Sequence, residues 1–197
     1  MEAERKAKVV RDTRETQIVA ELNIDGTGIY DINTGIGFFD HMLSGFAKHG
    51  FFDLKLKATG DLNVDSHHTV EDVGIVIGQA IREALGDKTG ITRYGFFLLP
   101  MDETLMECAI DLSGRPYFVY DVDTTAERLG EMDVETAREF FYAISYSAGM
   151  NLHIRQISGG NNHHILEAMF KAFAKALDMA TSIDPRVSGV LSTKGCI

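Results

Sequence analysis

The sequence is short of cysteine, of long apolar runs and of positive charge, and each shortage removes a class of protein. Only Cys108 and Cys196 are present, far apart and outside any CxxC spacing. That excludes a thiolate zinc site and a disulfide framework and points to a reducing compartment. Residues 1–8 are charged and lack the apolar stretch of a signal peptide. No apolar run is long enough to span a membrane. The expectation is a cytoplasmic protein with no membrane partner. Acidic residues number 29 against 19 basic ones, for a net charge of −10. Such a chain has no general basic field for nucleic acid. A small anionic substrate remains compatible if cations are gathered locally.

What the sequence does contain is one five-residue word used twice. His67-His68-Thr69-Val70-Glu71 and His163-His164-Ile165-Leu166-Glu167 share both histidines and the glutamate, 96 positions apart in a chain of 197. Four of the seven histidines lie in these two words. A half-chain interval predicts a tandem duplication, with a first half over residues 1–90 and a second over 91–197 that together form one compact unit.

The periodicity of each half agrees. Residues 16–24 alternate with Ile18, Ala20, Leu22 and Ile24 on one face, and Ile29–Ile32 is placed to return as a hairpin partner. Residues 35–50 read as a helix with Phe39, Met42, Leu43 and Phe46 inward and Gly50 as its left-handed terminator. Residues 51–58 alternate again, and a helix from His67 to Leu85 follows. Gly74 and Gly78 continue its His67–Glu71 line, which predicts close approach of another backbone, since each glycine costs about 1 kcal/mol in a helix. In the second half the pattern gives strands at 94–99, within 101–111 and at 117–122, then a polar, exposed stretch at 124–133. The density of apolar residues at 94–99 predicts a buried strand. A helix over 133–148, a strand over 151–157 and a helix over 162–180 complete it. The second half thus mirrors the first with one added strand. The class is α+β, each half a sheet packed against two helices.

On a helix His67 and Glu71 share a face, while His67 and His68 point about 100° apart. One ion cannot easily take both rings, but two ions on either side can. His41 precedes the first word by 26 positions and Glu139 precedes the second by 24, so both are candidate ligands at matching places. Chance placement of two surface histidine pairs would have to repeat the glutamate spacing as well, which favours metal. Imidazole and carboxylate without thiolate suit Mn, Fe, Zn, Ni or Co. Lys171 lies four residues after Glu167, equally compatible with a routine helical ion pair and with a place at the site. Arg93, Arg115 and the Ser192-Thr193-Lys194-Gly195 tail offer donors to a phosphate, each a weak signal alone.

The chain resembles the imidazoleglycerol-phosphate dehydratase family. The resemblance is carried by Arg14-Glu15-Thr16, Phe39-Asp40-His41-Met42-Leu43, Asp65-Ser66-His67-His68-Thr69-Val70-Glu71-Asp72, Arg93-Tyr94-Gly95, Pro100-Met101-Asp102-Glu103, Ser113-Gly114-Arg115-Pro116-Tyr117, Leu152-His153-Ile154-Arg155, Asn162-His163-His164 through Lys171-Ala172-Phe173, and the tail. It implies a duplicated half-domain of the ribosomal S5 domain 2-like kind, two manganese ions per active site, and a homo-oligomer of 24 subunits with sites between subunits. The implied metal ligands are His41, His67, His68, Glu71, His163, His164 and Glu167. Many members have histidine where this chain has Glu139, so that ligand is a departure. Arg93, Arg115, Ser192 and Lys194, with Thr193 among them, correspond to contacts with the substrate phosphate. His41, His67, Glu71 and His163 lie against the substrate as well, and Glu15 and Lys171 correspond to catalytic or positioning residues. The implied reaction removes water from imidazole-glycerol phosphate, the metals favouring an anionic imidazole that expels the hydroxyl. A di-metal phosphoesterase and a metal-stapled assembly protein are the rival readings. The first predicts free phosphate as product, the second indifference to loss of Lys171 or Arg93.

Overall fold

A computed structural model describes residues 5–197; residues 1–4, which open the expected first half, lie outside the described residues. The first half runs β1 (Lys6–Asp12), β2 (Thr16–Asn23), β3 (Tyr30–Asn33), α1 (Gly37–Gly50), β4 (Asp53–Gly60) and α2 (His67–Leu85). The second runs β5 (Tyr94–Met101), β6 (Thr104–Asp111), β7 (Tyr117–Asp121), a short pair β8 (Arg128–Leu129) and β9 (Met132–Asp133), α3 (Thr136–Ala148), β10 (Asn151–Ser158) and α4 (Asn162–Thr181). The sheets have the orders β1-β2-β4-β3 and β5-β6-β10-β7, which are the same topology. In each, the third strand lies parallel to the strand that follows the first helix, as a strand–helix–strand crossover requires.

Five expectations are corrected. The second half has no added main-sheet strand; the first half has one that the pattern concealed. β1 buries only Val9 and presents Lys6, Lys8, Val10 and Asp12 outward, the charged dress of a sheet edge. Residues 30–33 do not form a hairpin with β2 but pair in parallel with β4, because the 25–29 connection is anchored across on β4. There Asp53 accepts hydrogen bonds from the amides of Thr27 and Ile29 at 2.8 and 3.0 Å. β5 is an edge strand whose Tyr94, Phe96 and Leu98 are 50%, 51% and 45% exposed, so its apolar density does not reflect burial within the chain. Finally, the left-handed residue closing α1 is Phe51 (φ 59°), while Gly50 gives room to the Phe52 ring. The polar stretch at 124–133 is also less open than expected, since β9 buries Met132.

Helices pair across the halves. α2 lies on α3 along its glycine stripe, where a side-chain carbon on Gly74 would sit 2.6 Å from the Phe140 carbonyl oxygen and one on Gly78 2.9 Å from that of Ile144. The anticipated backbone approach is therefore real. α1 lies on α4 through rings: Phe46 stacks on Phe173 at 5.6 Å, and Phe39 meets Phe170 at 6.4 Å. Phe140 of α3 stacks on Phe170 of α4 at 5.1 Å and abuts Phe39 of α1 at 5.2 Å, so both halves share one aromatic core. The start of α4 comes beside α1, and the start of α2 beside α3.

Candidate metal and substrate site

The cross-half pairing builds one donor set from both halves. Asn161 caps α4, its side-chain oxygen accepting from the His163 amide at 3.0 Å and the His164 amide at 3.4 Å. The helix then places His163 and Glu167 on one face, with His163 Nε2 3.0 Å from Glu167 Oε2. His41 of α1 brings its Nε2 to 3.5 Å from the same oxygen. One ligand atom from each of His41, His163 and Glu167 lies within 4.8 Å of the others, a spacing suited to a single cation. Phe38 stands edge-on to His163 at 5.2 Å and walls one side. Lys171 places Nζ 2.6 Å from the second Glu167 oxygen, so the routine helical pair and nearness to the donor set are both true of it. Burial alone would raise the Glu167 pKa, but Lys171, His163 and His41 together hold it below its ordinary value. The carboxylate is thus kept ionised, as a ligand must be.

The counterpart set is looser. His67 Nε2 lies 3.5 Å from Glu71 Oε2, repeating the helical pair. Glu139 lines the same cleft of about 350 Å³ as His67, together with Tyr120, Thr124 and Arg138. Its carboxylate is held by Arg138 at 2.8 Å. Among the described residues these donors do not gather as His41, His163 and Glu167 do.

The second histidine of each word turns away from the first. The ring planes of His67 and His68 meet at 89° with centroids 6.0 Å apart, and those of His163 and His164 at 85° and 6.4 Å. The two-sided arrangement expected from the helical angle is present in both words. Each outward ring is held through Nδ1 by a carboxylate: His68 by Asp61 at 3.0 Å and His164 by Glu103 at 2.9 Å. Sequence reasoning missed both carboxylates: Glu103 comes from a loop 61 positions away, and Asp61, seven residues before His68, sits in a connection whose path the periodicity does not give. The hydrogen bond to Asp61 raises the His68 pKa above its usual value, with the charges of Glu15 and Asp65 adding to it. The hydrogen bond from His164, then the Asn161 amide, holds Glu103 down at about 2. Glu15 stands exposed on the β1–β2 turn, within electrostatic reach of His68.

A second cleft, of about 840 Å³, gathers the predicted phosphate contacts Arg93, Arg115, Ser192, Thr193 and Lys194. Arg93 (φ 70°) grips Asp111 with two nitrogens at 2.7 and 3.1 Å and the Leu191 carbonyl at 2.8 Å, fixing the tail against the cleft. Arg115 is exposed and has no side-chain partner among the described residues. This cleft opens at the far end of α4, where the Arg93 amide bonds the Ala180 carbonyl at 2.9 Å. From His163 to Ala180 the helix runs about 25 Å at 1.5 Å per residue. One chain therefore brings together the imidazole-and-carboxylate set and, separately, the cationic set, but not the two sets.

Comparison with known proteins is consistent along the chain. The family model described as imidazoleglycerol-phosphate dehydratase matches residues 34–177. The Lachnoclostridium phytofermentans imidazoleglycerol-phosphate dehydratase is 70% identical over 193 residues, covering 98% of each chain. That of Acetivibrio thermocellus is 58% identical over 194 residues, covering 98% of this chain and all of its own. Among solved structures, the Staphylococcus aureus dehydratase superposes with a TM-score of 0.83 at 40% identity, over 91% of this chain and 99% of that one. The Pyrococcus furiosus structure gives 0.83 at 37% identity, over 96% and 100%.

Proposed function

The chain belongs to the imidazoleglycerol-phosphate dehydratase family, and from that premise we infer how its residues divide the work. It is a hydro-lyase of histidine biosynthesis, removing water from imidazole-glycerol phosphate to leave imidazole-acetol phosphate. The observation that carries the site reading is the set of His41, His163 and Glu167, three donors within 4.8 Å drawn from both halves. Nitrogen and carboxylate donors without thiolate fit manganese. We assign His41, His163 and Glu167 to one grouping, Glu139, His67 and Glu71 to its symmetric counterpart, and His68 and His164 as ligands facing outward, for two ions per active site. When bound, the ions would act as Lewis acids on the imidazole nitrogens and favour loss of the ring proton.

The protein's own residues supply the rest. Glu15 carries a carboxylate with no side-chain hydrogen bond among the described residues, free to move a proton at the arm carbon as acid and base. Lys171 keeps Glu167 ionised and adds a cation beside the substrate. Arg115, Lys194 and Ser192 would bind the phosphate, with Arg93 fixing the tail that carries two of them. A substrate this small cannot bridge about 25 Å of helix, which supports sites assembled between subunits. The exposed row Tyr94, Phe96 and Leu98 supports the same reading, since an apolar edge strand is left for another chain to cover. We take the assembly to be the 24-subunit shell that the family resemblance implies. Among the described residues no helix is long and apolar enough to cross a membrane; the cytoplasmic assignment rests on the likeness to biosynthetic enzymes.

The test is to strip the protein of metal, return Mn²⁺ and assay dehydration. Recovery of imidazole-acetol phosphate is expected. No recovery with any divalent ion would sink the metal assignment, and release of free phosphate would favour phosphoesterase chemistry.

A further inference from the structure

We infer that Glu103 is a positioning residue that holds the His164 ring ready for a metal ion, and that it is the second-half copy of Glu15 turned to a different task. The inference rests on the metal reading above. The β1–β2 and β5–β6 turns occupy the same place in sheets of the same topology. Each enters its second strand with glutamate followed by threonine: Glu15-Thr16 and Glu103-Thr104. Both threonines are buried, at 0% and 1% exposure, which fixes the two glutamates in matching register at the turn.

The two glutamates then part. Both oxygens of Glu103 are occupied: Oε2 by His164 Nδ1 at 2.9 Å, and Oε1 by the Asn161 amide at 3.0 Å and the Thr104 hydroxyl at 3.1 Å. Glu15 is exposed and makes no side-chain hydrogen bond among the described residues. A carboxylate on Nδ1 places the proton there, stops the ring from turning and leaves the lone pair on Nε2. His164 Nε2 makes no hydrogen bond among the described residues; Asp102 is 3.9 Å from it and mostly exposed. In the first half the corresponding ring, His68, is held by Asp61 rather than by Glu15. Asp61 comes from the β4–α2 connection, residues 61–66, which is longer than its counterpart at 159–161. The longer loop supplies a carboxylate for His68 and leaves Glu15 unbound. A glutamate that must move a proton cannot also serve as the fixed acceptor of a ligand histidine. The first half separates those tasks between two residues, and the second half needs only one of them.

A purely structural alternative is that Glu103 only ties the start of α4 through the Asn161 amide. The experiment titrates the metal-stripped full chain with Mn²⁺ by calorimetry and follows turnover against Mn²⁺ concentration. In Glu103→Ala one binding step should weaken about 10–100-fold, and turnover lost at limiting Mn²⁺ should return in excess. Glu103→Gln retains an oxygen acceptor and should weaken the same step by less; it carries the test if the alanine variant is poorly folded. Glu15→Gln should keep both metal affinities and lose turnover at every Mn²⁺ concentration. Wild-type affinities in Glu103→Ala, or a turnover defect that excess Mn²⁺ does not relieve, overturn the proposal. A wild-type chain that takes up no Mn²⁺ at all overturns the metal reading itself, a result seen before any variant is made.

Discussion

Where α2 carries Gly74 and Gly78, α4 carries Phe170 and Ala174, 96 positions later and on the same helical face. The first pair lets two backbones meet, and the second fills the gap between helices with a ring. The outer faces of the sheets diverge in the same way. Across the first sheet run Lys8, Glu21, Lys55 and Asp31, neighbours of alternating charge. Across the second run Phe96, Ala109, His153 and Val119. The first row is charged, while the second is mostly apolar. The strand order of a duplicated unit is held by backbone hydrogen bonds and survives in both copies. The side chains answer to local neighbours, and those differ between the halves.

The sharpest division is between Glu15 and Glu103. Glu15→Gln should lower kcat about 10²–10⁴-fold, with thermal stability unchanged, because its side chain holds nothing in place. If steady-state assays gave Glu15→Gln near-normal turnover, the assignment of roles between the two turns would fail. Next in size are the helix pairs. Phe170→Ala should cost about 3–5 kcal/mol by urea unfolding, since the rings of Phe39, Phe140 and Phe141 lose a shared partner. Gly74→Ala should cost about 1–3 kcal/mol by the same measure, because the Phe140 carbonyl cannot give way without moving α3. A neutral Gly74→Ala would mean the helices are free to separate there. Arg115→Ala should raise KM about tenfold or more with kcat nearly kept, a charge-assisted phosphate bond contributing about 1.5–3 kcal/mol. An unchanged KM would remove Arg115 from the phosphate site.

The elements with a clean period were legible in the sequence. α2 begins and ends where the sequence pattern places it, at His67 and Leu85. The repeated word gave the duplication and the two-sided histidines, because adjacent residues on a helix must diverge. β1 was not legible, since an edge strand with one buried residue carries almost no pattern. Nor was the exposure of the outer face of β5, because apolar content alone does not distinguish a buried strand from an edge strand. Glu103 escaped for a different reason. Nothing in a local window states that a loop carboxylate meets a histidine 61 positions away, as Glu103 meets His164.

The smallest expected effect bears on the first residues of β4 and β10, Asp53 and Asn151, which hold matching loops by opposite means. Asp53 accepts from the amides of Thr27 and Ile29, whereas the Asn151 amide donates to the Arg115 carbonyl at 2.6 Å and to Ser113 at 3.2 Å. Partial burial would raise the Asp53 pKa, but the Ile29 and Thr27 amides and Asn23 outweigh it and hold the pKa below the ordinary value. Stability from a depressed carboxylate is fully present above its unfolded pKa, about 3.9, and is lost as pH falls through the lower folded value. Asp53→Asn should therefore cost about 1 kcal/mol or less near neutrality, being partly solvent-screened. The gap from wild type should close as the pH drops below about 4. Asn151→Ala removes an amide that does not titrate, so its gap should stay flat through the same window. Urea midpoints for the three chains across that range decide it: parallel curves for Asp53→Asn and Asn151→Ala would mean that the two loops are held alike.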